Sequence, residues 1–162
     1  MTTGAIRPAR EADRAGLYDV CVRTGDAGRD ASAMLDDRSL YGHLYAGQYL
    51  TFAPEFALVL ELGGEVAGYA VGAIDSTEFE DLLASRYPSH LHIDLLPAAQ
   101  GLGHGRALMD SLFERFAAAG SRGVHLGVDT RNDAAIRFYE HLGLRRHDPD
   151  GGVLFTQRFN SP

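Results

Sequence analysis

A chain of 162 residues is long enough to bury one hydrophobic core, and 45% apolar with 23% charged residues is globular composition rather than disordered or fibrous. The net charge of −7 argues against general nucleic-acid binding, which needs a basic footprint, and no apolar run approaches the roughly eighteen residues of a membrane span. Cys21 is the sole cysteine, which excludes an intrachain disulfide and a thiolate metal cage; residues 1–8 lack the apolar stretch of a secretory signal, so the expectation is a cytoplasmic protein.

In chain order, residues 5–9 predict a short first strand. Residues 12–23 follow as a helix with Ala15, Val20 and the Leu17/Cys21 pair on its apolar side. The Gly- and Asp-rich stretch 24–32 reads as loop, and residues 40–49 as a second helix weakened by Gly42 and Gly47. Strands at 56–62 and 65–74 flank Gly63-Gly64, a two-residue hairpin signal. Residues 78–85 predict one or two helical turns, and a strand at 91–96 ends at Pro97. The next helix carries Leu108, Leu112 and Phe116 at four-residue spacing and stops at Gly120. A strand at 124–128, a helix at 134–141 closed by Gly143, and a hairpin of 145–147 with 153–159 complete the chain. With no linker or repeat, residues 1–162 read as a single mixed α/β domain, antiparallel in its N-terminal half.

The strongest chemical signal is Gln100-Gly101-Leu102-Gly103-His104-Gly105, a turn that opens straight into a helix. Three glycines let successive amides converge without side-chain obstruction, at the positive end of the helix, and Arg106 adds charge at the rim. Such a site suits a phosphate or pyrophosphate. A dinucleotide fingerprint is excluded because Arg106 stands where it needs glycine, and a Walker loop because the chain has no lysine. On its own, the loop is also compatible with a turn that binds nothing.

A second segment lies downstream, Asn132-Asp133-Ala134-Ala135-Ile136-Arg137-Phe138-Tyr139-Glu140-His141-Leu142-Gly143. Here the chain resembles the GNAT acetyltransferase superfamily. Pro97, Gln100, Gly103 and Gly105 match its Pro-x-x-Gln/Arg-x-x-Gly-x-Gly/Ala loop, and Asn132, Ala135, Tyr139 and Gly143 match its Asn-x-x-Ala-x-x-x-Tyr-x-x-x-Gly pattern. The resemblance covers essentially the whole chain. The phrases Arg23-Thr24-Gly25-Asp26, Tyr45-Ala46-Gly47 and His90-Leu91-His92-Ile93-Asp94-Leu95-Leu96-Pro97 are further similar to bacterial relatives of the acetyltransferase-like domain of O-GlcNAcase, with a shorter segment between Glu78 and Ser89.

The resemblance implies an α/β (α+β) fold: a mixed, mostly antiparallel twisted sheet of six to seven strands with about four helices, splayed between the fourth and fifth strands. It implies an acetyl-CoA-dependent N-acetyltransferase acting by direct attack of a primary amine in a ternary complex, with coenzyme A as the co-substrate and no metal. Leu95 and Leu96 would bind the pantetheine arm, the Leu95 N–H lying near the thioester oxygen. Gly101, Leu102, Gly103, His104, Gly105 and Arg106 would take the pyrophosphate, and Asn132 and Phe138 would contact the cofactor. Tyr139 would be the general acid that protonates the departing thiolate; the plainer alternative is an aromatic ring packing a helix onto the sheet, as is Phe138.

The base is open between readings. His90, His92 and Asp94 alternate along one strand and share a face, as a proton relay or as a buried polar ladder. His90 and His92 lack a convincing third ligand for a metal. Asp26 and Asp30 lie where the family covers its acceptor site and could receive a cationic amine, although Asp and Gly also populate any exposed turn. The expected partner is a small-molecule or peptide amine, with no nucleic acid or membrane, and homodimers are common in the family. The alternative function is a catalytically silent acyl-CoA-binding or regulatory module on the same fold.

Overall fold

The computed structural model describes residues 3–74, 86–149 and 151–160; the helical turns expected at 78–85 lie outside them. Seven strands pair in the order β1-β2-β3-β4-β5-β7-β6; β1 with β2, β2 with β3, β5 with β7 and β6 with β7 are antiparallel, and β4 with β5 is parallel. The strands are β1 (Ala5–Pro8), β2 (Ala57–Leu62), β3 (Glu65–Ala73), β4 (Ser89–Leu95), β5 (Gly123–Val128), β6 (Arg145–His147) and β7 (Val153–Arg158). The helices are α1 (Arg14–Arg23), α2 (Arg38–Gly42), α3 (Gln48–Phe52), α4 (His104–Ala118) and α5 (Asp133–Leu142). By contact density the chain falls into two compact units, Met1–Gly72 with His92–Leu112 and Ala73–Leu91 with Phe113–Pro162.

In the first unit, Leu17, Val20 and Cys21 of α1 recur at helical spacing and are buried, as are Leu58, Val59 and Leu60 of β2 and Leu108, Met109 and Leu112 of α4. Four consecutive buried residues, Ala57 to Leu60, mark β2 as covered on both faces. Ala15, expected on the apolar side of α1, is exposed: at about 100° per residue it stands nearly opposite the buried Leu17.

The weak second helix expected at 40–49 is longer. α2 and α3 are joined by a π-helical turn, His43–Gly47, giving helix from Arg38 to Phe52. Asp37 caps it, its Oδ1 accepting from the Leu40 N–H at 2.8 Å. Gly42 and Gly47 weaken helix propensity but permit contact: a Cβ at Gly42 would stand 2.6 Å from Cγ of Tyr18, and one at Gly47 would collide with the same ring. Close approach to α1 outweighs the loss of propensity. Residues Pro54–Phe56, expected partly as strand, form a 3-10 turn with Pro54 at its start, and β2 begins at Ala57.

In the second unit, β5 pairs with β7 from Gly123↔Arg158 to Val128↔Val153, and β6 pairs with β7 as the expected hairpin. Gly143 closes α5 in the left-handed region at φ 85°, as its position just past the last periodic residue predicts.

Candidate functional site

In the first unit, β4 runs out at Leu95 and the chain turns through Pro97–Ala99 into the glycine loop. The Gln100 side chain donates from Nε2 to the Leu95 carbonyl at 2.9 Å, tying the loop back to the strand it leaves. Gly101 (φ 73°) and Gly103 (φ 84°) adopt the left-handed backbone that glycine favours, and a Cβ on either would meet nothing within 4 Å. These glycines therefore shape the backbone and leave its outer side open. The Ala107 N–H donates to the Gly103 carbonyl at 3.1 Å, so the amides of His104, Gly105 and Arg106 lie ahead of that helical bond, where a helix has no acceptor of its own to offer. The His104 ring lies beside Gly4, while Leu102 at 63% exposure and Arg106 stand outward. The loop thus presents open backbone at the start of a fifteen-residue helix, where the helix carries partial positive charge.

The end of β4 has an equally defined orientation. The Leu96 N–H donates to the Ala67 carbonyl of the strand beside it at 2.9 Å. Strand alternation then turns the Leu95 N–H away from β3. The parallel ladder of β4 with β5 pairs Ser89 with Val124 and His90 with His125, both before the segment that ends at Leu95. Gly68 of β3 sets the spacing: a Cβ there would lie 3.0 Å from the Asp94 carbonyl oxygen and from Cγ of Leu95.

Asp94 is held from the neighbouring strand of this unit. The buried Tyr69 of β3 donates its hydroxyl to Asp94 Oδ2 at 2.5 Å. The Cys21 thiol of α1 lies within electrostatic reach of Tyr69 and Asp94, and Thr24, the C-cap of α1, donates its hydroxyl to the Val20 carbonyl at 2.8 Å. Burial pushes the Asp94 carboxyl up to about 7, against the opposing pull of Tyr69 and Thr24. Burial likewise raises the Tyr69 phenol well above its ordinary value and the Cys21 thiol to about 11. Asp94 as a whole residue keeps intermediate surface exposure, while its carboxyl is densely surrounded. A carboxyl raised by burial to about 7 is suited to exchange a proton near neutrality.

Around it stands an aromatic wall. The His92 ring meets Tyr45 and Tyr49 edge-on at centroid distances of 6.1 and 5.8 Å, and Tyr41 lies 4.7 Å from Tyr45. Tyr41 donates its hydroxyl to the Gly25 carbonyl at 3.2 Å, and burial raises its phenol to about 12, with Cys21, Tyr45, Asp94 and Asp26 adding to the shift.

The two loop carboxylates differ. Asp26 and Arg29 exchange both backbone hydrogen bonds at 2.9 Å across Ala27 (φ 52°) and Gly28 (φ 90°), a tight two-residue turn. That turn leaves the Asp26 side chain only 17% exposed, 3.5 Å from the Arg29 guanidinium and within electrostatic reach of Tyr41. Asp30 is exposed and serves its own turn, its Oδ1 accepting the Ser32 N–H at 2.8 Å, and that hydrogen bonding lowers its carboxyl.

The remaining residues singled out from the sequence belong to the second unit. The His90 ring lies 6.3 Å from that of His125, a different company from that of His92 and Asp94. Asn132 caps α5, its Oδ1 accepting the Ala135 N–H at 3.1 Å. Tyr139 is buried, its ring 5.3 Å from Phe155 and 5.2 Å from the half-buried Phe138.

Thr24, Gly68 and Tyr69 escaped the sequence reading. A tyrosine amid the small and apolar residues of a buried strand is a usable signal, since its hydroxyl must find a partner. Thr24, at the junction of helix and loop, carried no comparable cue.

The sequence model of the acetyltransferase (GNAT) family matches residues 30–144. The mycothiol acetyltransferase of Streptomyces griseus is 31% identical over 144 residues, covering 81% of this chain but 45% of that protein, so the chain spans less than half the length of that relative. The L-methionine sulfoximine/L-methionine sulfone acetyltransferase of Salmonella typhimurium is 30% identical over 93% of this chain and 86% of its own length. Among solved structures, SsHAT superposes with a TM-score of 0.86 at 30% identity, covering 96% of this chain and 98% of its own. A phosphinothricin acetyltransferase from Sinorhizobium meliloti, in complex with acetyl-CoA, shares the fold at a TM-score of 0.72 and 20% identity, over 99% of this chain and 90% of its own.

Proposed function

The chain belongs to the GNAT acetyltransferase family, and from that membership we propose that it moves the acetyl group of acetyl-CoA to a primary amine by direct attack in a ternary complex. Residues 1–162 act in this reading as one acetyltransferase domain. The observation that carries it is the run from Asp94 to Arg106, in which a proton-accepting carboxyl, an outward strand amide and an open anion-binding loop follow one another along the chain.

Bound acetyl-CoA supplies the activated thioester. The amides of Gly101, Leu102, Gly103, His104, Gly105 and Arg106 hold its pyrophosphate, and Gln100 fixes the loop to β4. Leu95 and Leu96 present backbone groups to the pantetheine arm as an added strand would, and the Leu95 N–H meets the negative charge developing on the thioester oxygen. Asp94 removes a proton from the acceptor ammonium, which must be neutral to attack. His92 and its tyrosines shape the acceptor side, and Asp26, rather than the turn-bound Asp30, draws the cation. Asn132 and Phe138 support the cofactor, and Tyr139 returns a proton to the leaving thiolate, roles that rest on their family positions.

Release of free thiol from acetyl-CoA across a broad amine library tests this directly. Turnover with at least one primary amine is expected. Tight acetyl-CoA binding by calorimetry, with no thiol released by any amine, would replace the enzyme with a silent acyl-CoA-binding module.

A further inference from the structure

From the loop that follows α1 to the end of β4 runs one continuous series of rings. The Tyr41 hydroxyl donates to the Gly25 carbonyl at 3.2 Å, Tyr41 lies 4.7 Å from Tyr45, and Tyr45 meets His92 at 6.1 Å. Gly25 anchors the loop end: a Cβ there would stand 2.8 Å from the Tyr41 hydroxyl oxygen and 3.1 Å from the Cys21 carbonyl oxygen. His92 anchors the strand end, backed by Tyr49 at 5.8 Å, and by strand alternation it shares a face of β4 with Asp94.

Burial divides these rings. Tyr49 is 7% exposed and Tyr41 half-buried, whereas Tyr45 keeps 46% of its surface open. A buried ring packs its helix onto the sheet. An open ring held by two ring neighbours presents an apolar surface of fixed orientation to whatever comes beside it. Leu40 and Leu44, four residues apart on the same helix, are also about half exposed, so open apolar surface is concentrated next to Tyr45. The loop carboxylates, by contrast, already have cations: Asp26 has the Arg29 guanidinium at 3.5 Å, and Asp30 lies in the field of Arg23 and Arg38.

We infer that the acceptor is a primary amine with a single positive charge and an apolar arm, and that Tyr45 selects it by taking that arm on its open ring while the ammonium faces Asp94. This deepens the reading of the chain as an amine acetyltransferase and rests on it. Polyamines fall outside the class, because they bring a second charge to carboxylates that arginines already accompany. Amines with a hydroxylated arm fall outside it too, because the face of a ring offers a hydroxyl no hydrogen-bond partner in exchange for lost water.

The test is calorimetric titration of the protein, saturated with coenzyme A, with phenethylamine, ethanolamine and putrescine, paired with thiol release from acetyl-CoA by the same amines. Phenethylamine and ethanolamine carry the same ammonium on the same short link and differ in phenyl against hydroxyl, while putrescine adds the second charge. Phenethylamine is expected to bind roughly tenfold or more tightly than either. That preference should shrink about tenfold in Tyr45→Ala and stay within about twofold of native in Tyr45→Phe, which keeps the ring. In the rate assay the loss of preference should fall on KM more than on kcat, as selection of the arm rather than chemistry requires. Native binding of phenethylamine no tighter than that of ethanolamine or putrescine overturns the proposal, as does a preference that survives in Tyr45→Ala or vanishes in Tyr45→Phe. If phenethylamine binds with the expected preference and no amine releases thiol, the apolar-amine site stands and it is the acetyltransferase reading that fails. If ethanolamine or putrescine is acetylated and phenethylamine neither binds nor reacts, that reading stands and the selection by Tyr45 fails.

Discussion

Gly103→Ala separates the backbone role of the loop from its ligand role, because the fold supplies a matched control. Gly103 has φ 84° and Gly120, beyond the far end of α4, has φ 88°; a Cβ on either would meet nothing within 4 Å. Alanine at either site incurs the same left-handed penalty, about 1 kcal/mol given that nothing crowds the added methyl. Urea unfolding should therefore show two nearly equal losses of stability. Only at Gly103 does the methyl project onto the side from which an anion would approach. One weakened charge-assisted bond from amide to phosphate is worth about 1.5–3 kcal/mol, or roughly a tenfold to hundredfold rise in Kd. Calorimetry with acetyl-CoA should show that rise for Gly103→Ala and a Kd within about twofold of native for Gly120→Ala. Equal affinities in the two variants would refute the pyrophosphate cradle.

Asp94→Asn should lower kcat/KM by about a hundredfold or more and abolish the rise in rate through pH of about 7; a native profile would remove Asp94 as base. Because burial raises the folded-state midpoint of Asp94 above the ordinary carboxyl value, native stability should fall as pH climbs from about 4 towards 7, and thermal unfolding should show that this slope is weaker in Asp94→Asn. Tyr139→Phe should reduce turnover about tenfold or more with acetyl-CoA affinity nearly unchanged, and unaltered turnover would exclude it as the acid. Asp13 accepts from both terminal nitrogens of Arg7 at 2.8 Å with 9% of its side chain exposed, and that pairing holds its carboxyl below the usual range. Asp13→Ala should cost about 2–3 kcal/mol, less than a sealed ion pair because Arg7 can recover some hydration. The contribution is present above the ordinary carboxyl range near pH 4 and lost as pH falls below it, so the difference in unfolding free energy between native and variant should shrink in acid.

Elements whose cause lies in neighbouring residues were legible along the chain. The hairpin at Gly63-Gly64, the left-handed stop at Gly143, the buried positions Leu108, Leu112 and Phe116, and the open turn at Gly101 and Gly103 each follow from short-range spacing or from a backbone conformation that only glycine tolerates well. Helix 38–52 was underread because local propensity counts Gly42 and Gly47 as penalties, and only the ring of Tyr18 packed against them shows what they permit. The same limit applies to the site. Asp26 and Asp30 look alike in sequence, but one is turned inward by a tight hairpin and the other is occupied by the Ser32 amide.

Sequence by itself determined the family, through two glycine-bearing motifs at fixed spacing, and with it the open glycine turn, since a left-handed backbone needs no distant partner to form. Tertiary structure decided the state of Asp94. Its proton affinity depends on desolvation and on the hydroxyl of Tyr69, brought from elsewhere in the chain, and proximity of that kind is written in no single stretch of residues.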